Sequence, residues 1–293
     1  MVAIRHFALL LALVPIALSP SSGHAGLRAE EPAPGPSLFA QSATEALNRD
    51  FPSRDISFLL LETSTGRTLA SRWDHPDEPI PLGSLVKPFA ALAYGEHHEF
   101  EYPVYTCRGT ATGCWLPHGH GKIDLTSAIA YSCNSYFRML TANLMGADVA
   151  PVAARFGIES PDRNASGPAL AGIGSHWQIS PSRMAQAYLE FSRRREQPGV
   201  REVLAGMAQS AQHGTGAEVD RVLPFPDALV KTGTATCTHS PRAPGDGFVV
   251  VLTPADQPQI LLMVRVHGVP GAQAAKTAGQ MLKRIEDGLK ESK

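Results

Sequence analysis

The chain has no surplus of positive charge: 26 Lys plus Arg stand against 27 Asp plus Glu, for a formal net charge of −1. Without a basic field, nothing holds nucleic acid or an anionic bilayer by counterion release, and nucleic acid is excluded as a partner. No uninterrupted apolar run approaches twenty residues, and the mean hydropathy is −0.08, so a polytopic membrane protein is excluded as well. Internal repeats are also absent. What is present, 43% hydrophobic and 18% charged residues over 293 positions, excludes disorder, collagen and coiled coil and suits one domain of catalytic size.

The N-terminus reads as a sorting signal. Met1–His6 carries Arg5 and no acid, Phe7–Leu18 is an apolar core broken by Pro15, and Ser21–Ala25 ends on small residues suited to a signal peptidase. Residues 1–25 are therefore expected to be a signal peptide, and Gly26–Pro36, with prolines at 32, 34 and 36, a linker. The folded domain is expected over residues 37–293, in the periplasm or cell envelope, with membrane association through the apolar segment left open. In such an oxidising space Cys107 and Cys114, which flank a turn-rich hexapeptide, are expected to form a disulfide. Cys133 and Cys237 read as buried small apolar residues. The six-residue gap differs from the Cys-x-x-Cys spacing of zinc sites, so no metal or cofactor is expected, and His118 and His120 read as turn residues.

Asp55–Thr63 and Thr68–Trp73, joined by Ser64-Thr65-Gly66-Arg67, predict a β-hairpin. Near the other end, Leu229–Thr236, Gly247–Leu252 and Gln259–Val266 are three β-branched, apolar segments, and Ala272–Lys290 has the apolar spacing of an amphipathic helix. Helical spacing also marks residues 87–97, 125–131, 135–145, 149–156 and 181–193 between these ends. The expected fold class is α+β: an antiparallel sheet built from N- and C-terminal strands, flanked by helices, with an inserted all-α subdomain and a cleft at the junction.

Three short motifs carry candidate chemistry. In Ser84-Leu85-Val86-Lys87, a spacing of three puts Ser84 and Lys87 on one helix face, and Pro88 places the helix start close to Ser84. Alone, this reads rather as an exposed helix cap with a solvated lysine. Ser132-Cys133-Asn134 follows a helical segment. Lys231-Thr232-Gly233-Thr234 interrupts an apolar strand, where a cation and hydroxyls need a cleft to face and the glycine permits close approach of a ligand.

In this order the motifs are those of the active-site serine enzymes that recognise penicillin. The chain resembles the transpeptidase domain of class B penicillin-binding proteins from about Phe58 to the C-terminal helix, through Gly83–Phe89, Cys114-Trp115, Gly119-His120-Gly121, Ser132–Phe137, Gly172-Ile173-Gly174, Lys231–Ala235 and Gly247-Phe248. The resemblance implies Ser84 as the acylated nucleophile, Lys87 as its base and Ser132 as proton relay. It implies Asn134 as the group that positions Lys87 and substrate, and Lys231, Thr232 and Thr234, around Gly233, as the carboxylate site. The implied ligands are D-Ala-D-Ala stem peptides of peptidoglycan and β-lactams, with cell-wall synthesis proteins as partners. A D,D-carboxypeptidase, a β-lactamase and a non-catalytic sensor of cell-wall fragments remain alternatives. Against the β-lactamase, Cys133 replaces the aspartate of a Ser-Asp-Asn motif and Glu159 lacks the residues expected around a deacylating base.

Overall fold

The computed structural model describes residues 38–223, 227–237 and 245–291; the leader and linker read over residues 1–36 lie outside them. Helix α1 (Leu38–Asp50) precedes the hairpin β1 (Ile56–Glu62) and β2 (Thr68–Arg72). The insertion then runs through β3 (Ile80–Pro81), α2 (Lys87–His97), β4 (Tyr105–Cys107), β5 (Gly121–Ile123), α3 (Leu125–Ala130), α4 (Asn134–Leu140), α5 (Gly146–Phe156), β6 (Gln178–Ile179), α6 (Pro181–Arg193), α7 (Val200–His213) and α8 (Ala217–Asp220). The chain returns through β7 (Leu229–Ala235), β8 (Asp246–Thr253) and β9 (Ile260–Val266), and α9 (Gly271–Glu291) follows.

The five long strands make one antiparallel sheet in the order β2-β1-β9-β8-β7, so the two ends of the domain meet where β1 pairs with β9, Ile56 opposite Val266 through Glu62 opposite Ile260. Strands β1, β8 and β9 lie inside this sheet and are buried on both faces, which is why they read as continuous apolar runs. Alternation still sorts their side chains. Val249, Val251, Leu262 and Val264 join Phe58 and Leu60 against Ala274, Ala275, Ala278, Met281, Leu282 and Ile285 of α9. Phe248, Val250, Leu252, Leu261 and Met263 face the insertion instead. The apolar positions of α9 recur at three, four and seven, the spacing of a helix laid on a sheet. Helix α1 packs beside it through Ala40, Ala43 and Leu47, and Asp50 pairs with Arg284.

The mixed fold with its antiparallel sheet and helical insertion is as expected, and the insertion also holds two short ladders, β3 with β6 and β4 with β5. Its centre is aromatic: the Phe89 ring lies 5.5 Å from Phe156, 5.1 Å from Phe191 and 6.1 Å from Tyr188. Helix α4 ends at Leu140, short of the expected 145. There Thr141 turns its hydroxyl between the carbonyls of Phe137 and Gly167, at 2.7 and 2.8 Å, and fixes a turn. Phe89 is fully buried at the junction of α2, α5 and α6, so Phe89→Ala should lower the stability of the protein by about 3–5 kcal/mol, measured as a shift in urea midpoint.

Candidate active site

Residues Gly83–Val86 form a 3₁₀ turn that passes directly into α2 at Lys87, so the expected helix start near Ser84 holds, with one tight turn in front. Pro88 falls in the first turn of α2, where its missing amide proton costs no hydrogen bond. Gly83 has φ +59°, and a Cβ there would lie 2.1 Å from the carbonyl oxygen of Thr234. The turn is thus pressed against β7 by backbone alone. From the other side the Tyr188 hydroxyl donates to the Leu85 carbonyl at 2.9 Å.

Lys87 and Lys231 are both fully buried. The Lys87 ammonium donates to the Ser132 carbonyl at 2.8 Å and to Asn134 Oδ1 at 2.7 Å, and lies 3.4 Å from Ser132 Oγ. It also faces the Phe137 ring, 5.4 Å from its centroid. Lys231 donates to Ser132 Oγ at 3.1 Å and to the Thr232 carbonyl at 2.7 Å. One hydroxyl is therefore shared by two amines whose other partners are neutral oxygens. Burial pushes the Lys87 amine down to about 7, with Arg138 adding to the fall and the Cys133 and Cys114 sulfurs opposing it. Burial also lowers Lys231 well below its ordinary value, and the nearness of Lys87 lowers it further.

Ser84, Ser132, Asn134, Thr232 and Thr234 line a cavity of about 470 Å³, closed on further sides by Gly172–Gly174, Trp115 and Gly271. All eight residues singled out from sequence thus come together: six of them, Gly233 included, line the cavity, and Lys87 and Lys231 join them through the Ser132 hydroxyl. Two details differ from expectation. The Lys87 ammonium bonds to Ser132 and Asn134 rather than to the Ser84 hydroxyl. The close approach allowed by Gly233 is that of the chain's own Leu82 carbonyl, 2.4 Å from where a Cβ would stand.

Sequence reasoning passed over Thr215, whose hydroxyl lies 2.6 Å from that of Thr232 and lines the cavity. It follows α7 in a Gly-Thr-Gly turn that no motif marks. Ser132 itself has φ +51°, a left-handed conformation that a non-glycine residue holds only when its surroundings impose it. Trp115 borders the cavity, whereas Trp177 is buried and donates to the Glu159 carbonyl at 2.7 Å.

No bridge joins Cys107 and Cys114; these two and Cys133 and Cys237 are free, buried thiols. In place of the expected disulfide, the Cys114 sulfur has Cys133 Sγ at 3.8 Å and His120 Nδ1 at 3.6 Å. His120 is accordingly more than a turn residue, and His118 is exposed.

The chain belongs to the penicillin-binding protein transpeptidase domain family, whose model matches residues 56–287. Among solved structures it is similar to Pseudomonas aeruginosa PBP2 in complex with WCK 5153, with a TM-score of 0.69 and 19% identity over 85% of this chain and 74% of that one. The transpeptidase domain of Burkholderia pseudomallei penicillin-binding protein 3 matches with a TM-score of 0.63 and 15% identity, over 87% and 93% of the two chains. PBP2 of Helicobacter pylori, in complex with MreC, matches with a TM-score of 0.69 and 15% identity, over 84% of this chain and 62% of that one. At these identities the likeness is one of fold. A search of curated proteins gave no match.

Gly83→Ala tests the packing of the turn on β7. The left-handed backbone alone should cost about 1–2 kcal/mol, and the collision with Thr234 adds to it, so the variant should melt lower than the wild type in a thermal scan.

Proposed function

We propose that the protein is an exported serine D,D-transpeptidase of the cell envelope that acts on D-Ala-D-Ala stem peptides and is acylated by β-lactams at Ser84. The observation that carries this reading is the Ser132 hydroxyl bonded to both buried amines beneath a cavity whose wall presents Ser84. Such an arrangement moves protons without any carboxylate. In the acylation step Ser84 Oγ attacks the penultimate D-Ala carbonyl carbon while its proton passes to neutral Lys87 Nζ. The oxyanion forms against the backbone amides of Ser84 and Thr234, whose peptides are brought together by the contact between Gly83 and Thr234. Collapse of the tetrahedral intermediate breaks the peptide bond. The proton moves from Lys87 through the Ser132 hydroxyl to the departing D-Ala amine, and the acyl group stays on Ser84.

Thr232 and Thr234 offer hydroxyls to the terminal carboxylate, with Lys231 behind them supplying charge from below. An anion bound there favours the proton on Lys231 and leaves Lys87 neutral, which is the state a base requires. Asn134 holds Lys87 through its amide oxygen. Deacylation then mirrors these steps, with an acceptor amine donating its proton through Ser132 to Lys87.

Glu159 favours acyl transfer over β-lactam hydrolysis. Its carboxylate accepts from the Ser180 amide at 3.2 Å and hydroxyl at 2.9 Å, at the start of α6, and it does not line the cavity. A deacylating base of the β-lactamase kind therefore has no counterpart at that residue. The complex of the Helicobacter pylori relative with MreC supports a cell-wall synthesis protein as partner.

Labelled penicillin followed by denaturation should leave covalent label on the wild type and none on Ser84→Ala. Label retained by Ser84→Ala overturns the reading, and so does sustained turnover of a chromogenic cephalosporin. Incubation with a synthetic stem peptide and an amine acceptor should give the cross-linked amide as the main product. A second expectation concerns pH. Lys87 must be neutral to accept the Ser84 proton and titrates at about 7, so the acylation rate should climb as pH rises through about 7 and fall tenfold per unit below it.

A further inference from the structure

Behind the cavity, three cysteines and a histidine distant in sequence come together. Cys107 Sγ and Cys114 Sγ each lie 3.6 Å from His120 Nδ1, Cys114 Sγ lies 3.8 Å from Cys133 Sγ, and all four ligand atoms fall within 4.8 Å of one another. A tetrahedral zinc ion, with bonds of about 2.3 Å to sulfur and about 2.0–2.1 Å to nitrogen, sets sulfur–sulfur edges near ~3.8 Å and sulfur–nitrogen edges near ~3.6 Å. Three of the six separations equal these edges, and the other three lie within 4.8 Å. A disulfide instead needs sulfurs about 2.05 Å apart.

Hydrogen bonding among neutral groups does not explain the cluster. The Nδ1 lone pair accepts one proton, yet two sulfurs stand at equal distance from it, and the buried His120 Nε2 has no partner among the described residues. The surrounding backbone is built to hold the group. A Cβ on Gly109, at φ +69°, would lie 1.9 Å from the Pro117 carbonyl oxygen, and one on Gly119, at φ +78°, would lie 2.3 Å from that of Cys107. The 107–119 segment therefore folds tightly onto itself. Cys133 Sγ accepts the Tyr136 amide at 3.5 Å, as a thiolate ligand does, and Trp115 and Tyr131 flank the imidazole at 5.5 and 5.3 Å.

We propose that Cys107, Cys114, His120 and Cys133 form a structural zinc site that ties the 107–121 loop to the Ser132–Asn134 turn. Binding replaces the thiol protons by zinc–sulfur bonds and releases them to solvent, with no change of oxidation state. Four protein ligands fill the tetrahedron, so the ion has no open position for substrate and its role is to position. Because Cys133 stands between Ser132 and Asn134, the ion would fix both groups that hold Lys87; this consequence alone rests on the proposed acyltransferase reading.

The full chain, purified without chelator, should carry about one zinc per molecule by elemental analysis. Its cobalt-substituted form should show the visible bands of a tetrahedral ion and a thiolate-to-cobalt charge-transfer band. Cys114→Ser and His120→Ala should lose stoichiometric zinc, and Cys237→Ser, outside the cluster, should keep it. If the losses are accompanied by unfolding in circular dichroism, Cys114→His, which keeps four donors, should restore cobalt binding with a weakened charge-transfer band. Wild type free of zinc, a native mass lighter by two hydrogens with Cys107 linked to Cys114, or cobalt spectra unchanged in Cys114→Ser and His120→Ala would overturn the site. Ser84→Ala should bind zinc normally while losing penicillin label, and zinc-free protein should label more slowly than the zinc-bound form. Metal content and labelling thus report on the two readings separately.

Discussion

One hydroxyl held between two buried amines governs the arrangement of the whole cleft. Lys87 comes from the first helix of the insertion, Lys231 from an edge strand of the sheet, and Ser132 from the turn between α3 and α4. Bringing two full ammonium charges to such a place would cost several kcal/mol each in lost hydration. With only carbonyl, amide and hydroxyl oxygens as partners, the less expensive solution is to give up protons, and the fall of both amines below their ordinary range expresses it. Burial thus brings the Lys87 amine down to about 7 and lowers Lys231 well below its ordinary value.

That constraint explains why the junction between sheet and insertion is made of backbone. Side chains between the 3₁₀ turn and β7 would separate Ser84 from Lys231 by the width of a packed layer. Glycines remove that width: Gly83 lies against Thr234, Gly233 against Leu82, and Gly172 against Gly83, each where a Cβ would come within 2.4 Å of a carbonyl oxygen. The aromatic cluster of Phe89, Phe156, Tyr188 and Phe191 sits under the same turn, and Tyr188 adds its hydrogen bond to Leu85. Stability of the insertion and geometry of the cleft therefore share the same residues.

Much of this was legible in the sequence because it follows short periods. Alternation and β-branching mark β1, β7, β8 and β9 to within about a residue, and α2 and α6 match their expected spans. The eight motif residues were legible because three short motifs follow one another in the order of a known family and Lys231 interrupts an apolar strand, whereas Ser84 and Lys87 alone fit an ordinary helix cap. Helix α7 escaped even though Val200, Val203, Leu204, Met207 and Ala211 are buried at helical spacing. Gly206 weakens its propensity and is there because Ile129 of α3 leaves no room for a Cβ. Helix α1 escaped for the opposite reason: its buried residues are mostly alanines, which carry little hydrophobic signal. The Cys107–Cys114 pairing expected from their spacing does not form, because spacing within one loop does not show what approaches it from elsewhere, and Cys133 reaches the 107–120 segment from the start of another helix.

Ser132 brings these threads together. Its left-handed backbone is unfavourable for a serine and persists only if neighbouring contacts decide its conformation. On one side, Lys87 takes its carbonyl and Lys231 its hydroxyl. On the other, Cys133 is anchored by its amide to the Ala128 carbonyl at 3.0 Å and by its sulfur to the Tyr136 amide and the Cys114 thiol. The turn is thus clamped both by the buried amines and by the sulfur cluster. The residue at the middle of this tripeptide is fully buried and still accepts the Tyr136 amide, which a cysteine does as a small, largely apolar side chain. The identity of residue 133 follows from what stands behind the cleft rather than from what enters it.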